Sequence, residues 1–195
     1  MRAGVTIYFI RHGETDWNAL SRYQGQADVP MNENGRAQAR RNGETLRALM
    51  PRIGALNYVA SPLQRARETM EIVRAAMGLP AHAYALDERL KEIHYGRWQG
   101  IFAKDLPDVD PTGLEARQHD TFRWRPEQGE SYEDLMERAV AWLDDVSEDT
   151  VVSAHGGISR VLRGHLYGIE AAEVPELPVP QDRILILRRD GMDWM

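Results

Sequence analysis

The sequence predicts an α/β fold, a three-layer α/β/α sandwich in which helices cover both faces of a mainly parallel central sheet. Short apolar runs rich in β-branched residues alternate along the chain with longer segments of helical periodicity, a pattern typical of parallel sheets. Three of the apolar runs lead directly into charged, polar or glycine residues, as expected where strands end at a ligand site. The chain has 195 residues, an ordinary length for one domain, so a single domain over residues 1–195 is predicted.

Five segments have the composition of strands, because they are short and rich in β-branched or aromatic residues. In chain order they are residues 5–10, 56–60, 83–86, 150–154 and 183–189. The first of them reads VTIYFI and has the composition of a buried strand. The third has only four residues and is the weakest of the five.

Four segments between these strands have residues that begin or end helices. They are residues 32–50, 61–77, 129–146 and 158–167. Pro51 is expected to end the first of them. Ser61 as the N-cap and Pro62 as the first helical residue are expected to begin the second. In the third, Ser131 is placed as the N-cap and Asp134 as the acid of a capping box.

Two longer segments lack clear periodicity and are expected to lie near the site. Residues 14–30 are polar and contain Gly25 and Pro30, so they predict a loop over it. Residues 101–129 contain three prolines and mixed charge. They predict an excursion above the sheet with short helices, in which Trp124 is a candidate for the wall of a substrate pocket.

Composition excludes several classes of function. The absence of cysteine rules out disulfides and thiolate zinc sites. A net charge of −6 argues against broad nucleic-acid binding, and no apolar run approaches the roughly 20 residues that span a bilayer. The first strand begins too early for a secretory leader, so a cytoplasmic protein without nucleic-acid or membrane partners is expected.

Residues able to bind an anion or act as a nucleophile follow three of the predicted strands. Arg11, His12 and Gly13 come directly after the first strand, Arg65 lies in the helix after the second, and His155 follows the fourth. Arginine offers a fork of donors to phosphate, and histidine can act as a nucleophile near neutral pH. Because ligands bind beyond the carboxyl ends of parallel strands, we expect these side chains to meet in one place.

Four motifs, RHGETDWN, ASPLQRARET, LKEIHYGRWQG and SAHGG, occur in this order along the chain. They resemble the motifs of the histidine phosphatase superfamily, the fold family of cofactor-dependent phosphoglycerate mutase. The resemblance extends from about Ile7 to Gly168. It implies a phosphoglycerate mutase-like fold and phosphoryl transfer through a phosphohistidine.

The resemblance also implies a role for each residue of these motifs. It places His12 as the phosphorylated nucleophile, with Arg11 and Arg65 as phosphate clamps. It places Glu92 as the proton donor and His155 as a residue that holds the phosphoryl group.

Further residues are expected near the substrate from the same resemblance. They are Asn18, Gln24, Gly25 and Gly156. The chain departs from the family pattern at two positions. Gln99 stands where phosphatase-like members often have a glutamate, and Asp182 stands nearest to where the family usually has an asparagine.

The chemistry expected of this set follows from its charges. A phosphomonoester dianion needs cations and hydrogen-bond donors, which two arginines supply. The same cations should keep His12 neutral, so that its lone pair can attack phosphorus. Glu92 would protonate the leaving group and then activate water, with Glu88 as the competing carboxylate. A metal ion held by His12, His155 and Glu92 is a rival that the arginines disfavour by repelling a cation, so no metal and no cofactor is expected.

Three functions are compatible with this set. We favour a phosphomonoester hydrolase of the histidine acid phosphatase type, acting on a small phosphorylated metabolite, because residues 101–129 lack the adjacent arginine pair expected of mutases. Arg123 and Arg125, separated by one residue, come close to such a pair. The alternatives are a cofactor-dependent phosphoglycerate mutase and a phosphate-recognising adaptor without catalysis. The identity of the substrate and the oligomeric state do not follow from the sequence.

Overall fold

The computed structural model describes residues 1–49 and 56–195, which contain six strands and seven α-helices. The strands are β1 (Ile7–Arg11), β2 (Asn57–Ala60), β3 (Ala85–Leu86), β4 (Thr150–Ala154), β5 (Ile184–Arg188) and β6 (Gly191–Trp194). The helices are α1 (Asp16–Ala19), α2 (Glu33–Leu49), α3 (Gln64–Ala76), α4 (Leu106–Val109), α5 (Pro111–His119), α6 (Tyr132–Asp145) and α7 (Gly156–Tyr167). None of the helices in these two ranges is long and apolar enough to cross a membrane.

The six strands form one sheet in the order β3-β2-β4-β1-β5-β6. The neighbours from β3 to β1 are parallel, whereas β5 is antiparallel to β1 and β6 to β5. The predicted mainly parallel sheet is therefore confirmed. The sequence does not predict β6, because its four residues, GMDW, include a glycine and an aspartate and become a strand only by pairing with β5.

Helices cover both faces of this sheet, each face over its own hydrophobic cluster. On one face α6 and α7 contribute Leu135 and Ile158 to a cluster that includes Phe9. On the other face α2 and α3 pack together, and Met70 of α3 belongs to a cluster that includes Ile10. Phe9 and Ile10 are successive residues of β1, so they point to opposite faces, as a strand requires. The predicted three-layer architecture is confirmed.

Three further predictions concern the helices. The hydroxyl oxygen of Ser131 accepts a hydrogen bond from the backbone N–H of Asp134 at 3.1 Å, and the carboxylate of Asp134 accepts one from the backbone N–H of Ser131 at 2.8 Å. The capping box of α6 is therefore confirmed. The excursion predicted over residues 101–129 contains α4 and α5. The predicted end of α2 at Met50 and Pro51 lies outside the described residues.

The predicted start of α3 at Ser61 and Pro62 is wrong. The helix begins at Gln64 and has no side-chain cap. Ser61 directly follows β2, and its backbone N–H continues the sheet ladder by donating to the carbonyl oxygen of Ser153 at 3.0 Å. Its hydroxyl oxygen lies 2.8 Å from Nε2 of His155, so this serine holds a side chain of the site instead of a helix end.

The order of the central strands brings the site residues together. Strands β2, β4 and β1 are parallel neighbours, so their carboxyl ends lie at one edge of the sheet. The backbone N–H of His12 donates to the carbonyl oxygen of Ala154 at 2.9 Å. The residues after β1 and after β4 are therefore held side by side.

The close packing of α2 on α3 depends on Gly43. A Cβ atom at this position would lie 2.7 Å from the carbonyl oxygen of Val73 and 2.7 Å from Cβ of Ala76. Alanine is the better helix former by about 1 kcal/mol. We nevertheless expect Gly43→Ala to lower the free energy of unfolding by about 1–3 kcal/mol, because the two helices must separate. Urea denaturation of the variant and the wild type measures this difference.

The matched control is Glu44→Ala, at the exposed neighbouring position of the same helix. It should change the free energy of unfolding by less than about 0.5 kcal/mol. A Gly43→Ala protein that is as stable as the wild type would contradict the close helix contact.

Candidate active site

His12 directly follows β1 and is 2% exposed. Its Nδ1 lies 2.8 Å from the carbonyl oxygen of Gly13. Because a carbonyl oxygen only accepts, Nδ1 carries the ring proton, and Nε2 of the neutral ring carries a lone pair. A Cβ at position 13 would lie 2.2 Å from the carbonyl oxygen of Gly35, so only glycine fits here. The local backbone thus fixes the tautomer that a nucleophilic imidazole needs.

His155 lies between β4 and α7 and is fully buried, and its ring centroid is 5.1 Å from that of His12. Its Nε2 lies 2.8 Å from the hydroxyl oxygen of Ser61, which also accepts a hydrogen bond from the backbone N–H of Leu63 at 3.4 Å. The hydroxyl proton is therefore available to Nε2, which leaves the ring proton on Nδ1. This Nδ1 is buried and has no hydrogen-bond partner in the described part of the chain. It is a donor for a bound anion.

Two arginines flank the imidazoles, and backbone carbonyl oxygens hold both of them. Arg65, the second residue of α3, donates to the carbonyl oxygens of Gly25 at 2.6 Å and Ala27 at 2.8 Å. Arg11 donates to the carbonyl oxygen of Val179 at 2.6 Å. The Nε atoms of both arginines are buried and lack a hydrogen-bond partner among the described residues. These N–H groups are free to bind an anion.

Burial and the same cations together keep the imidazoles neutral. Burial, then the guanidinium groups of Arg65 and Arg11, hold the pKa of His12 well below its ordinary value of 6.5. Burial, then Arg65 and His12, hold the pKa of His155 well below the same value. Burial lowers the pKa of Arg65 to about 10, which leaves it charged at neutral pH. The site therefore combines neutral imidazoles with charged guanidinium groups.

Glu92 lies in the loop after β3 and lines the same cavity as His12. Its Oε1 accepts hydrogen bonds from the backbone N–H groups of Ile93 at 2.9 Å and Gly157 at 3.1 Å. A Cβ at position 157 would lie 2.3 Å from this oxygen, so glycine lets the carboxylate approach α7. The competing carboxylate, Glu88, pairs with Lys91 at 2.5 Å, and its side chain is 75% exposed. The geometry favours Glu92.

Arg138 of α6 fixes the backbone that carries Glu92. Its guanidinium donates to the carbonyl oxygens of Arg89, Lys91 and Glu92 at 2.8, 2.6 and 2.9 Å. It also forms a bidentate pair with the carboxylate of Glu130, through Nε at 3.0 Å and Nη2 at 2.9 Å. One side chain of α6 therefore holds three backbone carbonyls of the short segment 89–92.

A cavity of about 280 Å³ opens above these groups. The predicted residues in its wall are Arg11, His12, Asn18, Gln24, Gly25, Glu92 and Gly156. The other two, Arg65 and His155, are fully buried next to the ring of His12. Trp124 does not line this cavity; it packs on Trp98, with ring centroids 4.3 Å apart.

Asn18 and Gln24 present their amide groups to the cavity. The side-chain oxygen of Asn18 accepts hydrogen bonds from the backbone N–H of Thr15 and from Nε2 of Gln181, each at 3.2 Å. The side-chain oxygen of Gln24 accepts one from the hydroxyl of Thr15 at 2.6 Å. Since both oxygens are occupied, the amide nitrogens remain as donors. Gly25 contributes its carbonyl oxygen and has a left-handed φ of +54°.

Several side chains at the site were not predicted from the sequence. They are Ser61, Arg138, Arg160 and Gln181. Nε2 of Gln181 donates to the carbonyl oxygen of His12 at 3.0 Å, whereas its neighbour Asp182 is exposed. Arg160 lines the cavity from the first turns of α7. Its place in a helix after a site strand matches that of Arg65, and the same rule would have found it.

The donor set suits an anion. Within residues 1–49 and 56–195, no cluster of three or more His, Asp or Glu side chains is arranged to hold a metal ion. The buried N–H groups left without partners belong instead to Arg11, Arg65 and His155. Together they match the oxygens of a phosphoryl group.

Comparison with known proteins places this geometry in a family. The sequence matches the histidine phosphatase superfamily (branch 1) over residues 7–195. A glucosyl-3-phosphoglycerate phosphatase of Mycolicibacterium vanbaalenii is 33% identical over 183 residues, which cover 88% of this chain and 78% of that protein. A probable phosphoglycerate mutase GpmB of Klebsiella pneumoniae is 34% identical over 184 residues, which cover 94% of this chain and 81% of that protein.

Solved structures give the same result. A mycobacterial glucosyl-3-phosphoglycerate phosphatase in complex with VO3 superposes with a TM-score of 0.79 at 30% identity, covering 98% of this chain and 97% of that chain. The native structure of that mycobacterial phosphatase gives a TM-score of 0.77 at 30% identity, covering 98% and 96%. With a family match over nearly its whole length and relatives above 30% identity, this chain belongs to the histidine phosphatase superfamily.

Proposed function

We propose that this chain is a phosphomonoester hydrolase that acts on a small phosphorylated metabolite through a phosphohistidine intermediate. The observation that carries the proposal is the neutral ring of His12, whose Nε2 lone pair lies beside two charged arginines. The cavity of about 280 Å³ lies just below the roughly 300–1,000 Å³ of pockets for drug-sized ligands, which supports a small substrate. A phosphatase among the relatives supports hydrolysis.

In the first step, Nε2 of His12 attacks phosphorus and the bond from phosphorus to the leaving oxygen breaks. Arg11, Arg65 and His155 hold the phosphoryl oxygens through the N–H groups that lack partners among the described residues. Glu92 gives a proton to the leaving oxygen, and the alcohol departs. The product on the protein is a phosphohistidine.

In the second step, the carboxylate of Glu92 takes a proton from water, and the water oxygen attacks phosphorus. The bond from phosphorus to Nε2 of His12 breaks, the lone pair returns to the ring and inorganic phosphate leaves. Arg138 supports both steps, because it holds the backbone of Glu92 against movement. The cycle uses side chains of this chain and water alone.

We prefer hydrolysis to a mutase reaction, in which a second substrate accepts the phosphoryl group. The reason is the position of the two arginines on either side of residue 124. Arg123 pairs with Asp120 and Glu133 at 3.5 and 3.4 Å, and Arg125 pairs with Asp134 at 2.5 Å. These two arginines are more than half exposed and do not line the cavity. A phosphoglycerate mutase is the alternative, favoured by the name of one group of relatives.

Further assignments belong to the same proposal. The enzyme is of the histidine acid phosphatase type, because an imidazole is the nucleophile and a carboxylic acid protonates the leaving group. It works in the cytoplasm, which is consistent with the absence of cysteine. It works as a single domain. A phosphate-recognising adaptor, the alternative from another class, would bind phosphate without forming the intermediate.

Phosphate release from a panel of phosphomonoesters tests the proposed hydrolase. We expect turnover together with an acid-labile phosphoryl label on His12. His12→Ala should remove the label and lower kcat by roughly 10³-fold or more, because the attacking lone pair is lost. Phosphate assays and transfer of a radioactive phosphoryl group measure the two effects.

The matched control is His82→Ala, since the side chain of His82 is 82% exposed. It should keep both turnover and label. Rapid interconversion of 3- and 2-phosphoglycerate with little phosphate release would identify a mutase instead. Full turnover by His12→Ala would contradict both enzymes, and binding without turnover would identify the adaptor.

Glu92→Gln tests the proton donor. The amide keeps an oxygen that accepts from the backbone N–H of Gly157, but unlike a carboxylic acid it cannot protonate the leaving group. We expect alkyl phosphates to react about 10²–10⁴-fold more slowly. A nitrophenyl ester, whose leaving group needs no proton, should release a fast first equivalent of nitrophenolate and then turn over slowly. Stopped-flow absorbance measures both phases.

Glu88→Gln is the control and should behave like the wild type. If Glu88→Gln shows the leaving-group dependence and Glu92→Gln does not, the assignment of the two carboxylates is reversed.

The neutral imidazoles also make the free energy of unfolding depend on pH. The pKa values of His12 and His155 lie well below 6.5 in the folded chain and near it in the unfolded chain. As pH falls below about 6.5, the unfolded chain binds up to two protons that the folded chain does not bind. Stability is therefore lost with falling pH, by up to about 1.4 kcal/mol per pH unit for each histidine. Urea unfolding at about pH 7.5, 6.5 and 5.5 measures the slope.

Variants separate these histidines from other titrating groups. His12→Gln and His155→Gln should each make the slope shallower, and His82→Gln, at an exposed position, should leave it unchanged. The same slope in all four proteins would show that the two buried imidazoles are not held neutral.

A further inference from the structure

Arg22 lies at the mouth of the cavity, half-buried in its wall. Its guanidinium carbon is 4.7 Å from the ring centroid of Trp17 and 4.6 Å from that of Phe102. Its Nε donates to the carbonyl oxygen of Gly100 at 2.6 Å. Two aromatic rings and one carbonyl therefore fix the guanidinium, and its Nη groups remain available to a ligand.

The backbone around Arg22 is fixed as well. Arg22 and Phe102 form an isolated antiparallel bridge, and the neighbouring Tyr23 donates its backbone N–H to the carbonyl oxygen of Ile101 at 3.0 Å. A guanidinium held in this way loses little conformational freedom when an anion binds to it.

The charge of Arg22 is not balanced by a neighbouring acid. In the described parts of the chain, no carboxylate forms an ion pair with Arg22, although the protein has 30 acidic residues and a net charge of −6. Arginines at the surface, such as Arg97 and Arg125, are paired with carboxylates. Arg22 is therefore a cation of the cavity wall whose charge no described carboxylate balances.

The other arginines in the wall of the cavity have different contacts. Arg11 lies beside His12, and its guanidinium donates to the carbonyl oxygen of Val179 at 2.6 Å. Arg160 donates to the carbonyl oxygen of Leu177 at 2.8 Å and to the hydroxyl of Tyr132 at 3.1 Å. Among the arginines of the cavity wall, Arg22 differs because its guanidinium packs on two aromatic rings at the entrance.

We infer that Arg22 determines substrate specificity by binding a second anionic group of the substrate, a carboxylate or a further phosphate. The inference rests on the proposed function, which places the first phosphoryl group against His12. A guanidinium fork matches the paired oxygens of either group. The preferred substrates are therefore phosphomonoesters that carry another negative charge at the end remote from the phosphoryl group.

Equilibrium binding tests this inference independently of catalysis. Calorimetry compares three non-hydrolysable phosphonates of the same length, whose far ends carry a carboxylate, a second phosphonate or a neutral hydroxymethyl group. The wild type should bind the anionic ligands about ten- to a hundredfold more tightly than the neutral one, as expected for a hydrogen-bonded charged pair. Arg22→Gln should reduce this preference to about threefold or less. The tighter of the two anionic ligands identifies which group Arg22 binds.

Two further variants serve as controls. Arg22→Lys keeps the charge but not the fork, and it should show an intermediate preference. Lys104 lies over the same ring as Arg22, with its Nζ 5.6 Å from the centroid of Phe102, but it is exposed and does not line the cavity. Lys104→Gln should keep the wild-type preference. Binding of the neutral phosphonate by Arg22→Gln verifies that its phosphate pocket is folded.

The outcomes separate this inference from the proposed hydrolase. Equal binding of charged and neutral ligands by the wild type would overturn the inference. An unchanged preference in Arg22→Gln, or an equal loss in Lys104→Gln, would overturn it as well. A preference that depends on Arg22 in a protein that releases no phosphate from any phosphomonoester would overturn the hydrolase and support the role of Arg22.

Discussion

Positive charge packed against uncharged imidazoles is the constraint on which the rest of this structure depends. A fully buried guanidinium such as that of Arg65 is costly unless its donors are satisfied. The carbonyl oxygens of Gly25 and Ala27 satisfy two of them, and unlike a carboxylate they leave the charge in place. Burial and then this remaining charge lower the pKa of His12, and the charge suits an anion in a protein of acidic composition.

Strands position some residues of this site, and an irregular loop positions another. The central parallel strands bring His12 and His155 together, because β1 and β4 are neighbours in the sheet. The carboxylate of Glu92 comes from a loop, which has no ladder of its own to hold it. Arg138 supplies the missing support by binding the loop to α6 and to Glu130. A position that secondary structure does not fix is fixed here by one half-buried side chain.

The residues that could be predicted from the sequence are those whose place depends on local pattern. The apolar run before His12 predicts a strand end, and the fold follows from the alternation of such runs with helices. Local pattern predicts Ser61 as a helix cap, whereas the pairing of β2 with β4 brings its hydroxyl to His155. Arg138 and Gln181 reach the site across 46 and 169 residues, distances over which no local pattern extends. Strand β6 likewise depends on its partner.

The segment between α1 and α2 contributes both to the proposed phosphate clamp and to the entrance of the cavity. The carbonyl oxygens of Gly25 and Ala27 hold Arg65, and Arg22 lies only three residues before Gly25 on the same backbone. An insertion or deletion in this segment would displace both parts together. Selectivity can therefore diverge with least disturbance through exchange of single side chains at the entrance. Such a coupling restricts both natural drift and the redesign of this enzyme for other metabolites.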